Sequence, residues 1–582
     1  MLQFETRRPA RPLPLVLLLV IGALACAEPS TDRFPENWTY VGGEPVTADS
    51  GMVVTTDELA SHVGLDVLRA GGNAVDAAVA VQFALAVVNP EAGNIGGGGF
   101  MVLRTGEGDA AALDFREKAP LAATRDMYLD EEGNVTDRSV VGHLASGVPG
   151  SVAGMWAAHQ RYGTLPWADL VEPAVRLAEG FEVQERFLGS LSPDMVESLS
   201  AFEASAAQFL PRDGQPPMVG DTLRQPDLAR TLARIRDQGA DGFYLGETAD
   251  LIVAEMERGG GIITHEDLEA YEPAWRDPVS FRYRDHTVLS MPPSSSGGAT
   301  MAEMANILEG YDLAANDRFA PETLHLYVES WRRAYADRNH YLADPDYVEL
   351  PLERMTSPEY GRERASTISL DAATPSTEVE PGLGAWDEGE NTTHYSIVDV
   401  EGNAVSITTT VNSWYGSKVT VAGAGFVLNN EMDDFTSKPG VPNQFGLVQG
   451  EANAIEPGKR MLSAMTPTIV LDPAGELRIV TGTPGGATII TTVFQTISNV
   501  VDFGMGVVDA VHAPRIHHQH LPDQVQYERG GLRPNVVAAL QALGHTVTER
   551  SGISGDVQMI VIENGLMTGW SDPRRGGTAL GY

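Results

Sequence analysis

The sequence predicts a layered α/β fold. Three observations carry the prediction. The first half shows helical periodicity with capped ends, strand-like alternation sets in abruptly after residue 392, and an acidic Pro- and Gly-containing stretch at 365–391 lies between them. Helices and strands that each bury one face must pack in layers. With 582 residues and ordinary apolar content, the chain can build a sizeable core without staples, as one interleaved unit or several domains.

Taken in order, the chain opens on a targeting segment, residues 1–26. Arg7, Arg8 and Arg11 form a basic region, and Leu13 to Ala25 is an apolar run ending in small residues. That run is short for a bilayer span and has the order of a secretory signal, so the protein is expected to be exported, periplasmic or secreted. Cys26 is the only cysteine, which excludes a disulfide within one chain. Two readings stay open for it. One is lipid attachment, since the position resembles a bacterial lipoprotein site except that Ala23 stands where Leu is usual. The other is ordinary cleavage nearby. A polar lead-in follows at 27–50. Thr55-Thr56-Asp57-Glu58 reads as a capping box, with Thr55 and Glu58 three apart, opening a helix to about Ala70 that stops at Gly71-Gly72. Asn73 then caps an Ala- and Val-rich helix to about Val88, apolar nearly all round and therefore buried. Met101 to Arg104 and Ala111 to Phe115 read as strands, 150–275 as mostly helical, and 318–340 as a further helix. The 365–391 stretch, with Pro375, Pro381, Gly382 and Gly384, reads as an exposed linker. Beyond it come strands at 394–400, 404–410, 467–472 and 477–483, and a helix at 487–503. No internal repeat and no transmembrane helix is read after residue 27.

The formal net charge is −39, and only four lysines occur, Lys118, Lys418, Lys438 and Lys459. Such a surface repels nucleic acid and anionic membrane and stays soluble in salt. Adaptation to a saline environment and a codon bias toward Arg, Ala, Asp and Glu explain it equally well.

Chemistry concentrates at Glu390-Asn391-Thr392-Thr393-His394-Tyr395-Ser396, where a polar loop becomes a strand. Folding the hairpin about Glu401-Gly402-Asn403 lands Thr392 opposite Val411, flanked by Thr410 and Asn412. A threonine hydroxyl is a weak nucleophile until a base takes its proton, and cleavage before Thr392 would supply a free α-amine as that base. On the hairpin alone, a β-former at a strand start is the plainer reading. Gly485-Gly486 follows a strand and precedes a helix, so two adjacent amides could hold a developing oxyanion. The rival, a phosphate loop, lacks its Lys-Ser/Thr, because Ala487-Thr488 stands there.

Several runs with this order and spacing resemble the γ-glutamyltransferase family. They are Thr392-Thr393-His394-Tyr395-Ser396, Asp114-Phe115-Arg116-Glu117, Asn94 to Phe100, Pro293 to Gly298, Leu428 to Phe435, Met461-Leu462-Ser463 and Gly482 to Gly486. The resemblance implies a four-layer αββα sandwich of the N-terminal-nucleophile hydrolase type. It implies a precursor that cuts itself between Asn391 and Thr392 into a large subunit, 27–391, and a small subunit, 392–582. Thr392 is then the nucleophile, Thr410 its hydrogen-bond partner, and Gly485 and Gly486 the oxyanion hole. Arg116 and Ser463 are expected to hold the donor α-carboxylate, and Asn412, Glu431 and Asp434 its α-amine. Ala464 departs from the second Ser of bacterial relatives. Phe445 stands in the lid loop, 435–450, where some relatives place a Tyr. The activity implied is transfer of a γ-glutamyl group from glutathione or a related amide to water, amino acids or peptides, with no metal or organic cofactor.

Each reading has a plain alternative. Arg116 could form a structural ion pair in so acidic a chain, Glu431 and Asp434 could be solvated surface acids, and Thr410 a cross-strand neighbour. His512, His517, His518 and His520 suggest a metal cluster, but adjacent strand residues point to opposite faces, so a structural segment is the better reading. Two rival functions remain. One is an acylase of the same superfamily taking glutaryl-type side chains without an α-amine. The other is an exported binding lipoprotein that never matures.

Overall fold

The structure, a computed structural model, describes residues 34–380, 392–439, 441, 444, 450–552 and 554–582. The leader, Cys26, Asn391 and Phe445 lie outside the described residues.

Two seven-stranded sheets, antiparallel throughout, form the centre. One runs Val46–Ala48, Leu566–Ser571, Gln558–Glu563, Leu477–Gly482, Thr468–Leu471, His286–Ser290, Val279–Tyr283. The other runs Thr578–Gly581, Met52–Thr55, Thr393–Val398, Ala404–Thr410, Gly98–Arg104, Ala110–Asp114, Ala274–Arg276. Strand alternation sorts the faces. In the second sheet Val53, Met101, Leu103, Ile397 and Ile407 pack with the helices Glu58–Arg69 and Ala74–Val88, while Met52, Val54, Phe100 and Val102 face the first sheet. The first sheet is covered in turn by the helices Gly297–Leu308, Pro321–Tyr341 and Thr488–Val501. Polar contacts stitch the two sheets: Ser406 Oγ donates to Thr481 O at 3.0 Å, and Ser396 Oγ donates to Gln558 O at 3.0 Å. The layering is αββα, and each sheet takes strands from both sides of residue 392.

The predicted elements match within a residue or two, with two corrections. The first helix is Glu58–Arg69, capped by Asp57, whose carboxylate accepts from Leu59 N at 2.9 Å. Thr55 belongs to the strand Met52–Thr55 and so cannot serve as the cap. Asn73 does cap Ala74–Val88, in a capping box with Asp76, and all fifteen residues of that helix are buried. The second correction concerns the linker. Its described part is fastened: Thr374 Oγ1 donates to Glu329 at 2.7 Å, Ser376 N to Asp523 at 2.7 Å, and His520 Nε2 lies 2.8 and 2.9 Å from the carbonyls of Ser376 and Val379. Composition signalled exposure, but buried partners brought by the chain 200 residues away and by the Pro321–Tyr341 helix override it.

The histidine run is accounted for by the same packing. His517 Nδ1 meets Thr491 Oγ1 at 2.8 Å, His512 accepts from Val41 N at 3.2 Å, and His520 holds the linker. Elsewhere His325, Glu329 and His545 lie close together. Arg332 donates to His545 at 3.3 Å, His545 and His325 share a bond of 2.8 Å, and His325 reaches Ser369 O at 2.7 Å, a closed chain of hydrogen bonds. Among the described residues no helix is long and apolar enough to cross a membrane.

Candidate active site

The site begins at the hairpin. Thr393 faces Thr409 and Val398 faces Ala404. The turn is tighter at its base than the sequence suggested: Asp399 N donates to Asn403 O at 3.1 Å, and Asp399 Oδ1 accepts from the amides of Glu401 and Asn403 at 2.9 and 3.0 Å. Gly402, at φ 80°, supplies the left-handed residue that such a loop needs. Carried one step beyond the strand, this register sets Thr392 across from Thr410, not Val411.

Thr392 is buried at 4% exposure, at the edge of a cavity of about 860 Å³ that Thr393, Asn89, Glu91, Arg186, Trp414 and Arg575 also line. Thr393 Oγ1 meets Thr56 Oγ1 at 3.1 Å, and Thr56 donates to Asn89 Oδ1 at 3.2 Å. The next residue, His394, turns into the space between the sheets, where its ring approaches Thr408 Oγ1 at 2.8 Å. Burial lowers its pKa to about 3, so it is neutral.

From Thr410 a chain of hydrogen bonds leads into a second, closed compartment. Asn412 N donates to Thr410 Oγ1 at 2.8 Å, and Asn412 Nδ2 to Asn430 O at 3.0 Å. Asn412 sits at φ 73°, a conformation that Asn tolerates better than most side chains. Glu431, next along, opens the short helix Glu431–Asp434. Its carboxylate accepts from one terminal nitrogen of Arg116, and Asp434 accepts from the other. Arg116 is fully buried; its Nε donates to Met461 O at 3.3 Å, and its own backbone is held by Asp114 Oδ1 at 3.1 Å and Tyr271 Oη at 2.7 Å.

Glu117 lies 3.6 Å from the same guanidinium. One cation therefore faces three buried carboxylates. Both oxygens of Glu117 and Oε2 of Glu431 lack a hydrogen-bond partner among the described residues. Burial would lower the Arg116 pKa, but Glu431, Asp434 and Glu117 together raise it. Burial outweighs Arg116 and raises all three acids, Glu117 to about 7. The surplus of negative charge is what an ammonium would neutralise, while the guanidinium fork suits a carboxylate.

Ser463 closes this compartment on another side. Its backbone pairs with Ser294 N–O at 3.0 Å, its carbonyl accepts from Ser296 Oγ at 2.7 Å, and its Oγ accepts from Met465 N at 3.2 Å. Ala464 is buried among the apolar side chains between sheet and helices. Gly485 and Gly486 have φ of 139° and 55°, and neither amide donates to another described residue. A Cβ on Gly485 would stand 2.6 Å from Thr488 Oγ1, so the turn needs glycine there. The turn lies beside Gly555 and Asp556, and Asp556 lines the Thr392 cavity.

The structure thus joins Thr410, Asn412, Glu431, Asp434, Arg116 and Ser463 in one hydrogen-bonded neighbourhood, with Thr392 on the open side and the glycine turn nearby. Arg116 takes the ion-pair form foreseen as its plain alternative, with the same two acids expected to bind an amine. Sequence reasoning missed Glu117, whose signal was its place directly after Arg116. It also missed Glu91, Arg186 and Arg575, which long-range folding alone brings to Thr392.

A family model described as Gamma-glutamyltranspeptidase matches residues 60–582. The chain is 46% identical over 532 residues to the glutathione hydrolase proenzyme of Escherichia coli K12, covering 91% of each protein. It is 47% identical over 550 residues to the glutathione hydrolase proenzyme of Pseudomonas sp. A14, covering 92% of this chain and 95% of that one. Among solved structures, the cephalosporin acylase from Bacillus halodurans superposes with a TM-score of 0.82 at 29% identity, over 94% of this chain and 99% of the other.

Proposed function

The chain belongs to the γ-glutamyltranspeptidase family, and from that premise we propose how its residues divide the work of a glutathione hydrolase and γ-glutamyltransferase. Thr392 Oγ attacks the Asn391 carbonyl, and water opens the resulting ester. The freed amine of Thr392 then serves as the base for its own hydroxyl. In each turnover Thr392 attacks the γ-carbonyl of the donor, the amide of Gly485 and that of Gly486 steady the oxyanion, and Thr410 orients the nucleophile. The acyl group leaves to water, an amino acid or a peptide amine.

The observation that carries this reading is the closed compartment of one guanidinium and three acids. A γ-glutamyl donor brings an α-carboxylate for Arg116 and Ser463 and an α-ammonium for Glu431 and Asp434, with Asn412 beside them. The inserted zwitterion exchanges each internal ion pair for an external one. A glutaryl donor would leave the acids uncompensated, which disfavours the acylase reading despite the likeness to the Bacillus halodurans structure. The large subunit ends at Asn391 and the small one begins at Thr392. The leader at 1–26 supports export, with Cys26 as a possible lipid anchor.

The test compares intact mass, N-terminal sequence and glutathione hydrolysis of the wild type and Thr392→Ala. Two wild-type fragments, the smaller starting at Thr392, and an uncut, inactive variant are expected. A wild type that stays in one piece and releases no glutamate overturns the reading.

A further inference from the structure

Orphaned polar atoms collect around the cavity at Thr392. Asn89 Nδ2, Glu91 Oε2, Arg186 Nε and both carboxylate oxygens of Asp556 are buried without a hydrogen-bond partner among the described residues. Asp556 is fully buried and Glu91 is 6% exposed. Arg575 lies over the Trp414 ring at 5.8 Å, and no other side-chain contact of its guanidinium is found among the described residues. Arg186 donates to the Arg575 carbonyl at 3.3 Å and reaches Glu91 Oε1 at 3.5 Å, so the acid, the two guanidiniums and Trp414 form one wall. Unsatisfied buried charge is costly, and its concentration on the open side of a nucleophile calls for a ligand with ends of both signs.

The geometry points to this wall as the acceptor subsite: we propose that it holds a zwitterionic amino acid or dipeptide, its carboxylate on Arg575 beside Arg186 and its ammonium on Glu91. This rests on the transferase reading above. It is separate from the Arg116 compartment, whose charges are met by the donor. Burial raises the Glu91 pKa against the pull of Arg186, so the carboxylate is able to take a proton. The acceptor ammonium passes one proton to Glu91 and becomes a neutral amine. Its nitrogen attacks the carbonyl carbon of the γ-glutamyl–Thr392 ester, the new C–N bond forms, and the C–Oγ bond breaks. The proton that leaves the nitrogen ends on Thr392 Oγ. By reversal of the same path, the dipeptide released from glutathione leaves through this wall.

The experiment uses the mature, self-cut enzyme with a chromogenic γ-glutamyl anilide as donor. The acceptors are glycylglycine and its C-terminal amide, and donor hydrolysis without acceptor is measured in parallel. Wild type is expected to favour the free acid at least tenfold in kcat/KM. Arg575→Gln should erase that preference by losing the acid alone, lowering the transfer-to-hydrolysis ratio at least tenfold. Arg575→Lys should recover part of it. Glu91→Gln should slow transfer to both acceptors. A wild type indifferent to the acceptor carboxylate, or an Arg575→Gln enzyme that keeps the preference, overturns the proposal. Failure of the transferase reading is seen earlier and separately, as absent donor hydrolysis in the wild type.

Discussion

Arg116 and Glu431 form an ion pair in which neither side chain reaches solvent, although 315 residues separate them in sequence. With Asp434 on the other terminal nitrogen, the guanidinium is gripped as a fork, and the positions of both acids depend on it.

Arg116→Lys is therefore expected to fail despite keeping the charge. An ammonium is a point donor and cannot span Glu431 and Asp434 together. The donor kcat/KM should fall by about a hundredfold or more, the loss of two charged hydrogen bonds. Arg116→Gln leaves three buried acids with no cation and should also cost about 3–5 kcal/mol of stability. Donor kinetics and thermal unfolding of the two variants separate the effects.

Asp556 gives a pH signature. Burial raises its pKa to about 7, well above the carboxylate value in an unfolded chain. The folded state thus binds the extra proton, and the contribution to stability is full below pH 4 and lost as pH rises through 7. Asp556→Asn resembles the protonated form. It should match the wild type near pH 5 and be the more stable protein at pH 8, read as Tm at the two pH values. A wild type that gains on the variant with rising pH would reverse the assigned sign.

Gly482→Ala should separate the sheets where they matter. A Cβ there would lie 2.3 to 2.8 Å from the His394 ring, two residues from Thr392. Overpacking of this kind costs about 1–3 kcal/mol. Self-cleavage, followed by the appearance of the smaller fragment, is expected to slow together with the fall in Tm.

Asn412 separates backbone from side chain. Asn412→Gly relieves the left-handed φ but removes the bond to Asn430, whereas Asn412→Ala loses both. The glycine variant should recover most of the Tm lost by the alanine variant, by about 1 kcal/mol, while the donor KM stays raised in both.

Much of this was legible in sequence because its causes are local. Alternation and turn residues marked the hairpin, Asn73 marked a helix start, and adjacent glycines marked the turn before Thr488. The register slipped by one because a single side chain, Asp399, closes the loop base, and no periodicity records that. The fastening of Thr374 and Ser376 was hidden, since their acidic, Pro-rich surroundings carry the same composition whether or not Glu329, Asp523 and His520 wait across the fold. The wall of Glu91, Arg186 and Arg575 was hidden for a like reason: its members come from three distant segments, each ordinary in its own context.

The interleaving of the sheets has a consequence for what a cut at 391 does. The strand Thr393–Val398 lies between Met52–Thr55 and Ala404–Thr410, and the other sheet alternates in the same way. Severing the backbone there opens no seam along which two bodies could part. The fragments should migrate as one particle until denaturant melts both sheets together. Once apart, they must meet again as separate molecules, so recovery becomes dependent on concentration where the uncut precursor's would not. Maturation in such a fold turns a reversible folder into an assembly that is made once.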